Sequence, residues 1–127
     1  MTDVFTIEDL HRQLADPRRK YLDLWAHAAP DQSLVALISG TVGWLMFLRE
    51  NGDAGFSSRN PSFSGDPDAL VDYYLDNGQH DQYPASWALP IEEVQRAMEH
   101  FITKAQPADW LTWHNDSGDG AVIGRTT

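Results

Sequence analysis

Residues 44–58 read Trp-Leu-Met-Phe-Leu-Arg-Glu-Asn-Gly-Asp-Ala-Gly-Phe-Ser-Ser, and this stretch decides the fold class. Its first part is a nearly continuous apolar run, which is typical of a central strand. The dipeptide Asn51-Gly52 that follows accepts positive φ at both central positions of a tight turn. The stretch therefore predicts a β-hairpin whose return strand lies near residues 55–58.

The residues before Trp44 predict a strand that leads into this hairpin. Residues 34–39 are compatible with a β-strand, and Gly40 and Gly43 bracket the turn that follows. Apolar residues also recur over 21–25, after a cluster of basic residues, but their spacing fits a short strand and a helical turn equally well. Both structures stay open for that segment.

A second hairpin is predicted further along the chain. The sequence alternates between apolar and polar residues over 70–75, turns at Asp76-Asn77-Gly78 and returns over 79–83. Pro84 ends the returning strand because it has no backbone donor. A last strand is predicted over residues 110–113. The central part of the chain is therefore expected to be an antiparallel sheet of hairpins.

Two helices accompany the predicted strands. Thr6 can cap the first helix, which Pro17 ends, and the second begins at Pro90 and ends near Lys104. Each carries an apolar stripe at helical spacing. The stripes consist of Ile7, Leu10 and Leu14 in the first helix and of Ile91, Val94, Met98, Phe101 and Ile102 in the second. The order of elements predicts an α+β fold, with an N-terminal helix and a longer helix near 90–104 packed on the antiparallel sheet.

The length of 127 residues and the apolar content of 42% fit one domain over residues 1–127. From Asn115 onward the sequence is rich in Gly and Asp, which predicts a loose tail over 115–127. The chain has no cysteine, which excludes disulfides and thiolate metal sites. The N-terminus lacks the pattern of a signal peptide, and the apolar run at 44–48 is too short to cross a bilayer. These features predict a cytoplasmic protein with no membrane partner.

The charge of the chain is strongly negative and unevenly distributed. Nine Lys and Arg oppose 19 Asp and Glu, which gives a formal net charge of −10. Lys and Arg are absent between Arg59 and Arg96, where seven carboxylates occur: Asp66, Asp68, Asp72, Asp76, Asp81, Glu92 and Glu93. Such a field repels phosphate, which argues against nucleic acid as a partner, and attracts a cationic protein. The alternative is that the charge serves solubility alone.

The motifs of common enzymes are missing from the sequence. It has no phosphate-binding glycine loop, no serine elbow and no paired-histidine metal motif, and its five histidines are scattered singly. We therefore predict no catalytic residue, no metal site and no cofactor. One alternative is a small-ligand or metal-dependent enzyme built on the carboxylate-rich stretch 66–93. Another is a structural subunit of a larger complex, which would present a broad apolar patch.

Several motifs between Gly43 and Trp113 together resemble the first-numbered immunity-protein family of bacterial polymorphic toxin systems. The motifs are Trp44-Leu-Met-Phe-Leu-Arg, the hairpin Asn51 to Phe56, Ser58-Arg59-Asn60-Pro61, the segment ending in Tyr-Leu-Asp-Asn-Gly78, Tyr83-Pro84-Ala85-Ser86, the helix at Pro90 and the closing Trp113. The resemblance covers somewhat more than half of the chain. It implies an antitoxin that binds a cognate toxin domain, often one of the deaminase fold that acts on nucleic acid. The family transfers no catalytic residue.

Composition and resemblance together lead to the hypothesis of an immunity protein that occludes the active-site cleft of a basic toxin, with a nucleic-acid deaminase as the expected partner. Tyr73 and Tyr74 are adjacent in a predicted strand, so one of them should face solvent and serve as an anchor. The predicted contacts to the toxin are Asp53, Asp66, Asp68, Asp72, Tyr74, Asp76 and Asp81. The carboxylates among them are expected to meet Lys and Arg of the partner.

Overall fold

The computed structural model describes residues 2–126 of the chain. Its elements in chain order are β1 (Thr2–Asp3), α1 (Ile7–Leu14), β2 (Tyr21–Ala28), β3 (Gln32–Ser39), β4 (Val42–Leu48), β5 (Phe56–Arg59), β6 (Leu70–Tyr74), β7 (His80–Pro84), β8 (Leu89–Pro90), α2 (Ile91–Lys104), β9 (Thr112–Asn115) and β10 (Arg125–Thr126). Eight strands form one large sheet in the order β1-β2-β3-β4-β5-β9-β10, with β8 paired to β4, and β6 and β7 form a separate two-stranded sheet. The predicted α+β fold is confirmed.

The large sheet is mostly antiparallel and is covered on both faces. Its centre, β2-β3-β4, pairs in a continuous register that places Val35 opposite both Trp25 and Met46. Because side chains alternate along a strand, β3 supplies two cores. Leu34, Ala36 and Ile38 pack in the core on the helix side, whereas Val35 and Leu37 pack in the core beneath the β6–β7 hairpin. The protein therefore has three layers: two helices, the large sheet and the hairpin.

Local sequence explains where the two helices begin and end. Thr6 and Asp9 form a reciprocal capping box at the start of α1, as the backbone N–H of each donates to the side chain of the other at 3.1 Å and 3.0 Å. Helix α2 begins directly after Pro90 and ends at Lys104, where Ala105 adopts a left-handed conformation with φ of 56°. A Cβ at Gly43 would lie 2.9 Å from Val94 Cγ2, so this glycine lets α2 approach β4 closely.

The second predicted hairpin is confirmed and lies across the sheet. Strands β6 and β7 pair antiparallel, and the backbone N–H of Gly78 donates to the carbonyl of Leu75 in the turn. Tyr73 is 1% exposed and packs between the hairpin and the sheet. Trp44 of β4 stacks on Tyr83 of β7, with ring centroids 4.3 Å apart. Because an isolated hairpin is only marginally stable in water, this aromatic layer is what holds the pair of strands in place.

The first predicted hairpin is confirmed as a pair of strands, and Asn51-Gly52 forms a tight turn in which the backbone N–H of Asp53 donates to the Glu50 carbonyl at 3.2 Å. Met46 of β4 pairs with Ser57 of β5, and the whole connection runs over residues 49–55. The expected positive φ at both central positions occurs only at Gly52, where φ is 80°. The side chain of Asp53 also braces the loop by accepting a hydrogen bond from the backbone N–H of Arg49 at 2.9 Å.

The two ends of the sheet hold further differences from the sequence-based expectations. Residues 21–25 belong to a strand, and the last predicted strand is shifted to Thr112–Asn115. The tail predicted over 115–127 is attached to the sheet at two points within residues 115–126, and Thr127 lies outside the described residues. Arg125 of β10 pairs parallel with Thr112 of β9, and the backbone N–H of Asp116 donates to the carbonyl of Gly55 at 2.8 Å. Between β9 and β10, turns in which a side chain bonds to the nearby backbone bend the chain back to the sheet. Neither helix within residues 2–126 has the length and apolar character needed to span a bilayer.

Candidate partner-binding site

The outer face of the β6–β7 hairpin presents an aromatic pair to solvent. Tyr74 ends β6 and lies directly opposite His80, the first residue of β7. The two rings stack with centroids 4.5 Å apart and an interplanar angle of 8°. Tyr74 is 42% exposed even though the ring of Tyr21 meets it edge-on at 4.7 Å. Tyr73 points inward, which confirms that one of the two adjacent tyrosines faces solvent, and the exposed one is the predicted anchor.

Asp72 lies on the same outer face, two residues before Tyr74. Its carboxylate accepts hydrogen bonds from Nε2 of His80 at 2.9 Å and from Nε2 of Gln82 at 2.7 Å. These two bonds, the His80 bond first, lower the pKa of Asp72 below its usual range, so the carboxylate stays charged near neutral pH. Its side chain is nevertheless 47% exposed. The outer face therefore combines a fixed negative charge with an aromatic surface.

Asp66 and Asp68 extend this surface in the loop that precedes β6. Both residues are exposed. The side-chain carboxylate of Asp66 accepts a hydrogen bond from the backbone N–H of Asp68 at 2.9 Å, and the backbone carbonyl of Asp66 accepts one from the N–H of Ala69 at 3.1 Å. These two bonds give the loop a defined turn. Leu70, at the start of β6, is 57% exposed beside them. We call the combined area, consisting of Asp66, Asp68, Leu70, Asp72, Tyr74, His80 and Gln82, the hairpin surface.

Asp76, at the tip of the hairpin, makes bonds within the chain. Its carboxylate accepts from Thr2 Oγ1 at 2.8 Å and from an Arg19 guanidinium nitrogen at 2.8 Å. The bond from Thr2 is the largest cause of the lowered pKa of Asp76. Its backbone N–H also donates to the buried carboxylate of Asp23 at 3.1 Å. Asp76 therefore fastens the tip of the hairpin to β1 and β2, and only part of its charge faces solvent.

Asp81 and Asp53 lie away from the hairpin surface. Asp81 is opposite Tyr73 and therefore on the inner side of β7, where it accepts from Gln79 Nε2 at 2.8 Å. The Asp53 side chain is only 7% exposed in the β4–β5 loop, where the Arg49 guanidinium donates to both of its oxygens at 2.8 and 2.9 Å. These bonds hold the pKa of Asp53 far below its ordinary value. Asp53 thus stabilises the β4–β5 loop. Because its side chain is buried, it is poorly placed for the partner contact that was predicted for it.

His80, Gln82 and Leu70 belong to the hairpin surface but were not among the residues predicted to bind. The sequence held enough information to find them, because the Asn77-Gly78 turn fixes which residues face each other across the hairpin. Once Tyr74 is placed outward, the period of two along both strands places these three side chains on the same face. A prediction based on negative charge selects the carboxylates and misses these three uncharged or apolar side chains.

The alternative of a metal-dependent enzyme requires carboxylates that converge on one point. Within residues 2–126, no group of three or more His, Asp or Glu side chains is arranged to hold a metal ion. Asp72 is bonded to His80 and Gln82, and Asp76 is bonded to Thr2 and Arg19. The stretch 66–93 therefore offers separate charges on a surface, which suits recognition of another molecule.

Comparison with protein-family models relates the chain to a known family. The family model described as immunity protein Imm1 matches residues 6–115 of the chain. The match extends from the N-cap of α1 to the end of β9, so it includes both helices and the whole hairpin surface. A search of curated proteins found no match.

Proposed function

The chain belongs to the Imm1 immunity protein family, and we propose that it neutralises a cognate toxin by covering the toxin's active-site cleft with the hairpin surface. Membership of this family carries the role of an immunity protein and argues for a non-enzymatic activity. The observation that points to the hairpin surface is the half-exposed Tyr74, stacked on His80, with Asp72 on the same outer face and the exposed Asp66 and Asp68 in the loop before β6. Exposed aromatic side chains that are held rigidly supply much of the energy of protein interfaces.

The charge of the chain supports a basic toxin domain as the partner. The net charge is −10, and the lowered pKa of Asp72 keeps this carboxylate of the hairpin surface charged near neutral pH. A toxin that acts on nucleic acid needs a groove of Lys and Arg to hold phosphates. An acidic surface of this kind is complementary to such a groove and steers the two proteins together. A nucleic-acid deaminase, which the family resemblance implies, fits this description, and we place the encounter in the cytoplasm.

Two experiments test this function in order. First, the protein is co-expressed with the toxin encoded by the adjacent gene, and co-purification with loss of toxicity is expected. Failure to bind that toxin would contradict the proposed function. The second experiment combines Asp66→Asn, Asp68→Asn and Asp72→Asn, which should slow association about tenfold at low salt and flatten its salt dependence.

A matched control removes the same charge elsewhere. Glu8→Gln, Asp31→Asn and Asp109→Asn together neutralise three exposed carboxylates outside the hairpin surface. This control variant should change the association rate by less than about threefold, because none of the three residues belongs to the proposed contact and salt screens exposed charges outside it. Equal slowing in both triple variants would show that the overall field steers the toxin, and the hairpin surface would lose its assigned role.

A further inference from the structure

The β6–β7 hairpin has two outer edges that no strand of residues 2–126 covers, because it forms a two-stranded sheet of its own. The N–H of Leu75 donates to the carbonyl of Gln79, and the N–H of Ala85 donates to the carbonyl of Ala69. Bonded positions alternate along an antiparallel pair, so the odd-numbered residues of the two strands bond to each other across the hairpin. The even-numbered residues therefore direct their backbone N–H and C=O groups away from it.

The edge of β6 offers more hydrogen-bonding groups than the edge of β7. Leu70, Asp72 and Tyr74 each present one N–H and one carbonyl along β6. Along β7, Pro84 has no N–H, which leaves only the donors of His80 and Gln82. Among the described residues, none bonds to the outward backbone groups of β6. A row of unpaired groups of this kind is a template for another strand.

Exposed side chains lie at all three outward positions of β6. Leu70 is 57% exposed and Tyr74 is 42% exposed, and the side chain of Asp72 between them is also accessible. A strand that pairs with β6 brings one of its own side chains beside each of these three. Leu70 and Tyr74 suit apolar or aromatic neighbours, whereas Asp72 suits a cation.

The charge at this edge favours a basic occupant. Asp72 lies at the centre of β6, and Asp66 and Asp68 are exposed in the loop that leads into the strand. Lys20 lies close enough to Asp72 for its positive charge to act on it, so three carboxylates oppose one ammonium group. The carboxylate of Asp76 is already bonded within the chain and adds little. Opposite charges across a strand pair are stabilising, which favours Lys or Arg opposite Asp72.

A second copy of this chain is a poor occupant of the same edge. The antiparallel register that pairs the whole of β6 with β6 of another copy places the two Asp72 side chains opposite each other. Like charges in that position destabilise a strand pair. Short length and an exposed charge are also features by which proteins prevent edge strands from pairing with themselves.

We infer that β6 pairs with an edge strand of the toxin, so that docking extends the hairpin to a three-stranded sheet. The toxin strand carries Lys or Arg opposite Asp72, with apolar or aromatic side chains two positions away on either side. Backbone hydrogen bonds then supply affinity, and the charge pair at Asp72 sets the register. This inference rests on the proposed function, because the toxin supplies the added strand.

Residue-resolved amide hydrogen exchange, measured by NMR with and without the toxin encoded by the adjacent gene, tests this pairing. In the free chain, the outward amides of Leu70, Asp72 and Tyr74 should exchange rapidly. The amides of Val71 and Tyr73 are bonded to β7 and should exchange at least about tenfold more slowly. In the complex, the outward amides should slow at least about tenfold, and the alternation should disappear. Docking through side chains alone would leave the alternation in place.

Proline at one edge position gives a second readout. Leu70→Pro and Leu70→Ala both remove the leucine side chain, but only proline also removes the outward N–H. The Kd for the toxin should be at least about threefold higher for Leu70→Pro than for Leu70→Ala, because one backbone hydrogen bond is lost. Gln82→Pro and Gln82→Ala are the matched pair on the β7 edge, and their Kd values should differ by less than about twofold. Circular dichroism verifies that each variant retains the fold.

Four results would overturn the pairing at β6. A toxin complex that retains the alternation of exchange would overturn it and leave the proposed function standing. A proline effect of the same size at both edges would mean that no strand is added specifically at β6. Protection of the outward amides in the free chain that rises with its concentration would assign the edge to a second copy. Failure of the toxin to bind at all would remove the proposed function and this inference together.

Discussion

Tyr73→Ala and Tyr74→Ala, at adjacent positions of β6, should separate the folding of the hairpin from its binding. Tyr73 is 1% exposed in the core formed with Val35, Leu37 and Trp44. Its removal leaves a cavity between the hairpin and the sheet, and an aromatic-to-alanine change in such a core costs about 3–5 kcal/mol of the free energy of unfolding. Tyr74 is 42% exposed and touches the rings of His80 and Tyr21, so its removal should cost about 1 kcal/mol.

Among correctly folded molecules, we expect Tyr74→Ala to weaken toxin binding more than Tyr73→Ala does, which is the reverse of their order in stability. Tyr74→Ala removes an exposed aromatic anchor and should weaken binding by about 2 kcal/mol, or roughly 30-fold in Kd. Tyr73 is buried and cannot touch the toxin, so Tyr73→Ala should weaken binding only if the loss of packing displaces the hairpin from the sheet. Urea denaturation followed by tryptophan fluorescence gives the stabilities, and titration calorimetry with the toxin encoded next door gives the Kd. Tyr74→Phe is the matched control, because it keeps the stacked ring. The reasoning is refuted if both alanine variants lose the same stability, or if folded Tyr74→Ala binds the toxin as tightly as the unaltered chain.

Two further predictions concern the β4–β5 loop. Arg49 holds the pKa of Asp53 in the folded chain far below its ordinary value. Between the folded and the unfolded pKa of Asp53, the unfolded chain binds more protons than the folded one. The free energy of unfolding therefore falls as the pH drops below about 4. Asp53→Asn should lower stability at pH 7 and flatten its decline in acid, as measured by urea midpoints; an unchanged acid profile would contradict this role of the Arg49 bond. Gly55→Ala should destabilise by more than about 2 kcal/mol, because φ is 73° and the added Cβ would collide with the Phe47 carbonyl oxygen. Gly52→Ala, at a φ of 80° with open space around it, is the control and should cost about 1 kcal/mol, so equal losses would refute the collision.

The sequence predicted those elements whose causes are local. The cap at Thr6, the apolar stripe of α2 and the alternation of β6 each depend on residues a few positions apart, and each is present in the structure. The turn at Asn51-Gly52 is also present, but only Gly52 has a positive φ, and the connection around it is longer and is braced by the bonds between Arg49 and Asp53. The pairing of β10 with β9 joins segments separated by a bend, and a two-residue strand leaves no periodic pattern to detect.

Charge in the sequence identified the hairpin surface only in part. Asp72 and Tyr74 share one face, as a recognition surface requires, and the exposed Asp66 and Asp68 lie in the loop that leads into it. Asp53 and Asp76 were predicted on the same grounds, but they are bonded to Arg49 and Arg19. A count of carboxylates cannot distinguish these cases, because the partners are contributed by other parts of the fold. The strand register of the hairpin helps to distinguish exposed carboxylates from inward-facing ones, because it determines which face each side chain occupies.

The bonds that Asp76 makes within the chain also hold the proposed binding surface in one arrangement. The carboxylate of Asp76 joins the hairpin tip to Thr2 and Arg19, and Asp23 accepts its backbone N–H from beneath. At the other end, Trp44 stacks on Tyr83, and Tyr73 fills the space between hairpin and sheet. A hairpin fastened at its tip and along its inner face keeps Tyr74 and Asp72 in one arrangement. If the toxin docks here as proposed, docking orders few additional groups, so more of the contact energy appears as affinity. In the proposed function, the internal carboxylate therefore assists recognition by holding the exposed ones in place.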